Sequence, residues 1–152
     1  MLITILAVAA VIALFMMARA SHTGQAPGLV DGRLARCPDK PNCVCSEYRE
    51  GSGHAIEPLE FSARAGKDLA AKLREVIVEA GGSIRTERAD YIAATFTSSW
   101  FGFVDDLEVR IDDQAALIHF RSASRVGYGD LDANRKRVEL LQNRFRKTGP
   151  VD

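Results

Sequence analysis

A chain of 152 residues has the length of one domain, and its 47% apolar and 26% charged residues have the balance of a folded domain, not a disordered one. Twenty basic residues meet twenty acidic ones, so the formal net charge is zero; setting aside the N-terminal segment removes only Arg19 and leaves nineteen against twenty. Such neutrality excludes a general attraction for nucleic acid or anionic lipid, and no nucleic-acid partner is expected; local charged patches are not excluded.

Residues 1–20 open the chain with an apolar segment. From Leu2 to Ala18 the only polar residue is Thr4. At about 1.5 Å per residue the seventeen positions span roughly 25 Å as a helix, so with its flanks the segment can cross a hydrocarbon core of about 30 Å. The expected partner is therefore a lipid bilayer, met through residues 2–18. A signal peptide is the main competitor, because Ala18-Arg19-Ala20 has the small-x-small form of a cleavage site. A core helix is disfavoured, since the run has no polar face to show water. Arg19, Arg33, Arg36 and Lys40 follow the segment and would hold that side in the cytoplasm, whereas a disulfide would place the domain outside. The expectation adopted is a single-pass membrane protein with its domain outside the cytoplasm.

Residues 21–33, rich in Gly, Pro, Ala and small polar types, read as a flexible linker. In the run Cys37-Pro38-Asp39-Lys40-Pro41-Asn42-Cys43-Val44-Cys45, two prolines dictate an ordered loop. Cys37 and Cys43 suit a small disulfide-closed loop, leaving Cys45 over. Unbonded structural thiols, a Cys3His set with His54 and a nucleophilic cysteine are the other readings, though neither spacing is a recurrent zinc pattern and no metal or other cofactor is expected.

The single domain proper is placed at 34–147, with a tail at 148–152. His54 to Phe61 reads as a short strand ended by Pro58. Leu69, Leu73, Val76, Ile77 and Ala80 then mark one face of an amphipathic helix, with Lys67, Lys72, Arg74 and Glu75 elsewhere on its surface and Gly81-Gly82 ending it. Ser83–Arg88 and Tyr91–Ser98 flank a tight turn at Ala89-Asp90. Val104–Asp112 alternates, with Leu107, Val109 and Ile111 inward and Asp106, Glu108, Arg110 and Asp112 outward; Leu117–Ala123 turns Ile118, Phe120 and Ser122 inward and His119 and Arg121 outward. Leu131–Arg146 closes the domain as a helix capped by Asp130 or Asp132. The fold class is thus α+β, order β-α-β-β-β-β-α: a curved antiparallel sheet with one covered face and both helices on it, similar in topology to TATA-binding-protein-like and helix-grip folds.

The polar residues concentrate between Trp100 and Arg137. Pairing the last two strands sets Arg121 opposite Glu108 or Asp106, and a solvated ladder of charges is the expected form. Arg121, Ser122, Ser124, Arg125 and Tyr128 lead into a helix N-terminus. This arrangement suits an anion, and it equally suits a structural account in which the arginines hold Asp105 and Asp106 and glycines make the turn. Asn134 falls on the inward stripe of the last helix, so its amide requires partners from the cysteine loop or the 122–130 loop.

Three separated motifs, Cys37-Pro-x-x-Pro-Asn-Cys43, Phe101-Gly-Phe-Val-Asp-Asp-Leu-Glu108 and Arg121-Ser-Ala-Ser-Arg-Val-Gly-Tyr128 with Asn134-Arg-Lys-Arg137, resemble the domain-of-unknown-function 1499 family over about residues 34 to 146. Cys45 and Gly129 stand where that pattern has serine, so the resemblance favours pairing Cys37 with Cys43. It implies no activity. The expected function is a non-catalytic binding or structural module at the cell envelope, meeting an anionic small molecule, a lipid head group or a protein through Asn42, Asp105, Asp106, Glu108, Arg121, Ser122, Ser124, Arg125, Tyr128, Asn134 and Arg135. The alternative is a hydrolase-like enzyme using Asp105, Asp106 and Glu108 with Arg121, or using Cys43.

Overall fold

The computed structural model describes residues 1–48, 53–62 and 68–148. The apolar N-terminal run forms α1 (Leu2–Ser21), followed by two short strands, β1 (Leu29–Val30) and β2 (Arg33–Leu34), that pair with each other. The domain continues through β3 (Cys43–Cys45), β4 (Leu59–Glu60), α2 (Leu69–Glu79), β5 (Ser83–Arg88), β6 (Tyr91–Thr97), β7 (Val104–Asp112), β8 (Leu117–Ser124) and α3 (Ala133–Thr148). The main sheet is antiparallel in the order β3-β8-β7-β6-β5, with β4 also on β8. This is the α+β architecture that the alternating patterns predict.

Alternation decides the first face. Leu107, Val109, Ile111, Ile118, Phe120, Ile92 and Ala94 point to one side, where Leu73, Val76 and Ile77 of α2 and Val138, Leu141 and Phe145 of α3 complete the core. At about 25 cal/mol per Å2 of apolar surface, each of these side chains larger than alanine contributes about 1.5–3 kcal/mol when buried. Lys67 lies outside the described residues, as does the tail beyond Thr148.

The expectation of one covered face is overturned. The opposite face is also buried, because residues 24–36 fold back across it. Leu34 is fully buried there with Cys45, Tyr91 and Ala93, and Ala26 and Leu29 pack against them. The expected flexible linker is thus an ordered strap: Gly28 takes positive φ just before β1, and Asp31 and Gly32, also at positive φ, turn β1 into β2. Asp106, Glu108, His119 and Arg121, read as outward to water, are 8% exposed or less.

Smaller corrections have local causes. Within 54–61 only Leu59–Glu60 is a strand, lying after Pro58, while Ala55 bridges to Cys45 in parallel. The cysteine loop ends in a strand, since Cys43, Val44 and Cys45 pair with Ala123, Ser122 and Arg121. Leu131 and Asp132 are left-handed, so α3 starts two residues after Leu131; the Asp130 carboxylate caps it by accepting the Asn134 N–H at 2.9 Å.

Candidate functional site

Among the described residues, four arginines paired with carboxylates organise the sheet end and its strapped face. The register sets Glu108 opposite Arg121, and Arg121 Nη1 donates to Glu108 Oε2 at 2.9 Å. Glu108 Oε1 accepts the Tyr91 hydroxyl at 2.8 Å and the strap's Gly28 N–H at 2.9 Å. Burial pushes the Glu108 carboxyl up from its ordinary value, while Tyr91, Arg121 and Gly28 pull the other way. One row along, Arg125 forks onto Asp106, Nε to Oδ2 at 2.9 Å and Nη2 to Oδ1 at 2.7 Å. Arg137 Nη2 reaches Asp105 at 2.7 Å from α3, and Arg110 pairs with Glu47 and Asp112. The solvated ladder is overturned: the carboxylates of Glu108, Asp106 and Glu47 are buried in their pairs, and removing the arginine strands them. Arg121 Nε finds no hydrogen-bond acceptor among the described residues.

The free third of Arg125 does a different job. Its Nη1 donates to the Ser21 carbonyl at 2.9 Å, one of the last carbonyls of α1, where the helix dipole favours a cation. Ser21 is fully buried, and its hydroxyl accepts the Val104 N–H at 2.9 Å. Gly24 leaves room for this arm, since a Cβ there would lie 3.0 Å from Arg125 Cδ. The apolar helix is therefore clamped to the domain, not tethered by a loose segment.

At the helix-covered side of the same sheet end, Asn134 is the hub. Its side-chain oxygen accepts from Ser122 at 2.6 Å and from Arg137, and its Nδ2 donates to the Asn42 carbonyl, Ser124 Oγ and Asp130 Oδ2 at 2.7–3.0 Å. Asn42 Nδ2 in turn reaches the Gly127 carbonyl at 3.2 Å. Cys37 and Cys43 form a disulfide that closes the loop carrying Asn42. Three chain segments meet on one amide.

Beside the strap lies a cleft of about 830 Å3, within the size range of ligand sites. Residues 22–29 form one wall, and Arg85, Thr86, Arg88 and Tyr91 form the other, with Arg125 and Asp106 also lining it. A register shift between Ile84 and Thr86 leaves Arg85 as the extra residue of a bulge, and its Nε donates to Thr95 Oγ1 at 3.0 Å. Arg88 lies over the Tyr91 ring at 4.7 Å. Asp106 is taken by Arg125, and neither Arg85 nor Arg88 meets a carboxylate among the described residues.

The predicted residues are thus divided. Asp105, Asp106, Glu108, Arg121 and Arg125 form the charge pairs, with Asp105 held by Arg137, where Arg121 or Arg125 was expected. Asn42, Ser122, Ser124 and Asn134 form the amide hub. Arg135 binds the carbonyls of Ala55 and Gly53, and Tyr128 is 71% exposed outside both clusters. Cys43, offered as a nucleophile, is in the disulfide and has no thiolate to give. Cys45 is buried, and burial pushes its thiol up. Sequence reasoning missed Arg85, Arg88, Tyr91 and the strap; two arginines on one edge strand, three residues apart and followed by a tyrosine, were the available signal.

Taken together, the fold and the site define an α+β domain knit at one sheet end by buried ion pairs and clamped to an apolar helix. A family model described as a protein of unknown function (DUF1499) matches residues 33–145, and the chain belongs to that family. No curated protein matches the chain.

Proposed function

We propose that the protein is a single-pass membrane protein of the cell envelope whose domain is a non-catalytic module that holds an anionic small molecule, a phosphate or carboxylate, free or as a head group, in the strap cleft. One observation carries this reading: among the described residues the cleft presents Arg85 and Arg88 with no facing carboxylate, while Asp106, the acid that lines it, is already neutralised by Arg125. Guanidinium forks are suited to such oxyanions. Retention of α1 is supported by its clamp, because Ala18, the first residue of the small-x-small motif, and Ser21, which follows the motif, are buried in the fold. The disulfide supports an oxidising compartment.

The hydrolase-like alternative has less support. Asp105, Asp106 and Glu108 are each tied to an arginine, and the hydroxyl–imidazole pair of Ser46 and His119, at 3.2 Å, lines no part of the cleft. The test is calorimetric titration of the full chain in detergent with inorganic phosphate, a dicarboxylate and a soluble phospholipid head group. Binding of at least one is expected, weakened about tenfold or more by Arg88→Ala together with Arg85→Ala, the equivalent of about 1.4 kcal/mol. Equal binding by the wild type and the double variant would place the ligand elsewhere, and no binding of any probe would sink the reading.

A further inference from the structure

Clamping fixes α1 against one edge of the domain, and this decides where the bilayer must lie. Leu14, Ala18 and Ser21 follow helical spacing and are the positions of α1 that the domain covers; Leu2 through Val11 are bare on all sides. Phe15 meets Phe101 of the β6–β7 loop edge to face at 6.5 Å, and Phe101 lies 6.2 Å from Phe103. His22 Nε2 bonds the Gly102 carbonyl at 2.9 Å. A groove of about 350 Å3 runs between Leu14 and Met17 of α1 and Phe103, Val126, Gly127 and Gly129 of the domain. Two loops, 98–103 and 126–131, therefore flank the last turns of the helix.

Helix length supplies the depth. The twenty residues of α1 measure about 30 Å, just the thickness of a hydrocarbon core. The part of α1 before Leu14, twelve residues, would give only about 18 Å and could not span alone. A crossing therefore has to use the stretch from Leu14 to Ser21, the same stretch that the two loops flank. Phe15 stands six residues before Ser21, about 9 Å along the axis, so Phe101 at its side lies below the level at which the helix leaves the lipid. The tips of these loops carry what that layer favours: Trp100 is 91% exposed, Leu131 93% and Tyr128 71%. Aromatic rings with a polar edge are enriched at the membrane–water interface.

We propose that the domain is seated on the bilayer that α1 crosses, with Trp100 and Phe101 of one loop and Tyr128 and Leu131 of the other inserted into the interfacial layer around the helix. This rests on the reading of α1 as a retained anchor and adds to it a docking surface whose partner is lipid. The seat also directs the strap: residues 22–29, one wall of the arginine cleft, begin where α1 leaves the membrane.

Trp100 is the only tryptophan of the chain, which makes the wild type its own probe. Full-length protein is reconstituted into phosphatidylcholine vesicles with bromine either high or low on the acyl chains. Quenching of Trp100 by the shallow bromine, stronger than by the deep one, together with protection from aqueous iodide, is the expected result. Iodide access without bromine quenching overturns the seat, and so does protection without bromine quenching, which would mean that a protein surface covers the loop. The second loop is read in the same way with Leu131→Trp in a Trp100→Phe background, where quenching by shallow bromine is again expected and its absence overturns insertion of that loop. Alkaline carbonate treatment separates the two readings: release from the vesicles would remove the anchor and the seat together, whereas retention without quenching removes the seat alone.

Discussion

Among single residues, Glu108 shows most clearly how the strapped face is held. Its carboxylate has no exposure and gathers Arg121, Tyr91 and Gly28, from two neighbouring strands and from a strap 80 residues away in sequence. Replacing such a pair by apolar groups can be neutral, but removing one member leaves a buried charge at a cost of about 3–5 kcal/mol. Arg121→Met should therefore destabilise by that amount at neutral pH, measured as the denaturant midpoint of the detergent-solubilised chain. Burial already raises the Glu108 proton affinity above the ordinary carboxyl value of 4.5, and losing Arg121 raises it further. In the window above 4.5 the unfolded carboxyl ionises while the folded one keeps its proton, so folding binds a proton and stability falls as pH rises. The deficit of the variant should accordingly shrink on acidification towards pH 5. A deficit independent of pH would show that Glu108 is not the group left stranded.

At the scale of elements, the strap and the cysteine loop carry the difference between pattern and structure. The helix-facing half of the sheet is legible in the sequence because alternation is a local signal: Leu107, Val109 and Ile111 announce their side, and β7 has the bounds that its pattern gives. The strapped half is not, because Asp106, Glu108 and Arg110 carry the same alternating charges whether water or arginine meets them, and Arg125 and Gly28 are remote in sequence. Asn134 was legible as an inward amide, since its spacing to Val138 and Leu141 is helical, and its partners do come from the two loops named for it. The cleft was not legible, because it depends on the bulge that turns Arg85 and on a strap that reads as linker. The disulfide links both halves. Closing a seven-residue loop restricts the unfolded chain by about 2 kcal/mol, and the loop so held presents the Asn42 carbonyl to the Asn134 amide and to the Ser124 N–H. A reductant strong enough to open the bond should lower the stability of the full chain by about 2 kcal/mol or somewhat more, whereas Cys37→Ala with Cys43→Ala should be insensitive to it. Identical unfolding of the wild type with and without reductant would mean that the cross-link adds nothing to the fold.

For the whole molecule, two features press in opposite directions on sidedness. Arg19, Arg33, Arg36 and Lys40 follow the apolar segment, a bias that retains the following chain in the cytoplasm. The folded domain contains a Cys37–Cys43 bond that a cytoplasmic thiol pool would keep open. The charges have other uses once the chain is folded: Arg33 pairs with Glu47, and Arg36 lies 3.9 Å over the Tyr48 ring. The charge rule expresses a tendency summed over four side chains during insertion, whereas the disulfide is a covalent part of the final structure and holds the loop on which the Asn134 hub closes. The disulfide therefore has the greater weight, and the domain is predicted to face away from the cytoplasm. Gln114→Cys, in the exposed β7–β8 turn, supplies a reactive thiol against a quiet background, since Cys45 is buried and its thiol is pushed up. A membrane-impermeant maleimide should label this variant in sealed right-side-out membrane vesicles and spare it in inverted ones. Labelling confined to inverted vesicles would give the domain to the cytoplasm and leave the disulfide to be explained by a local oxidant.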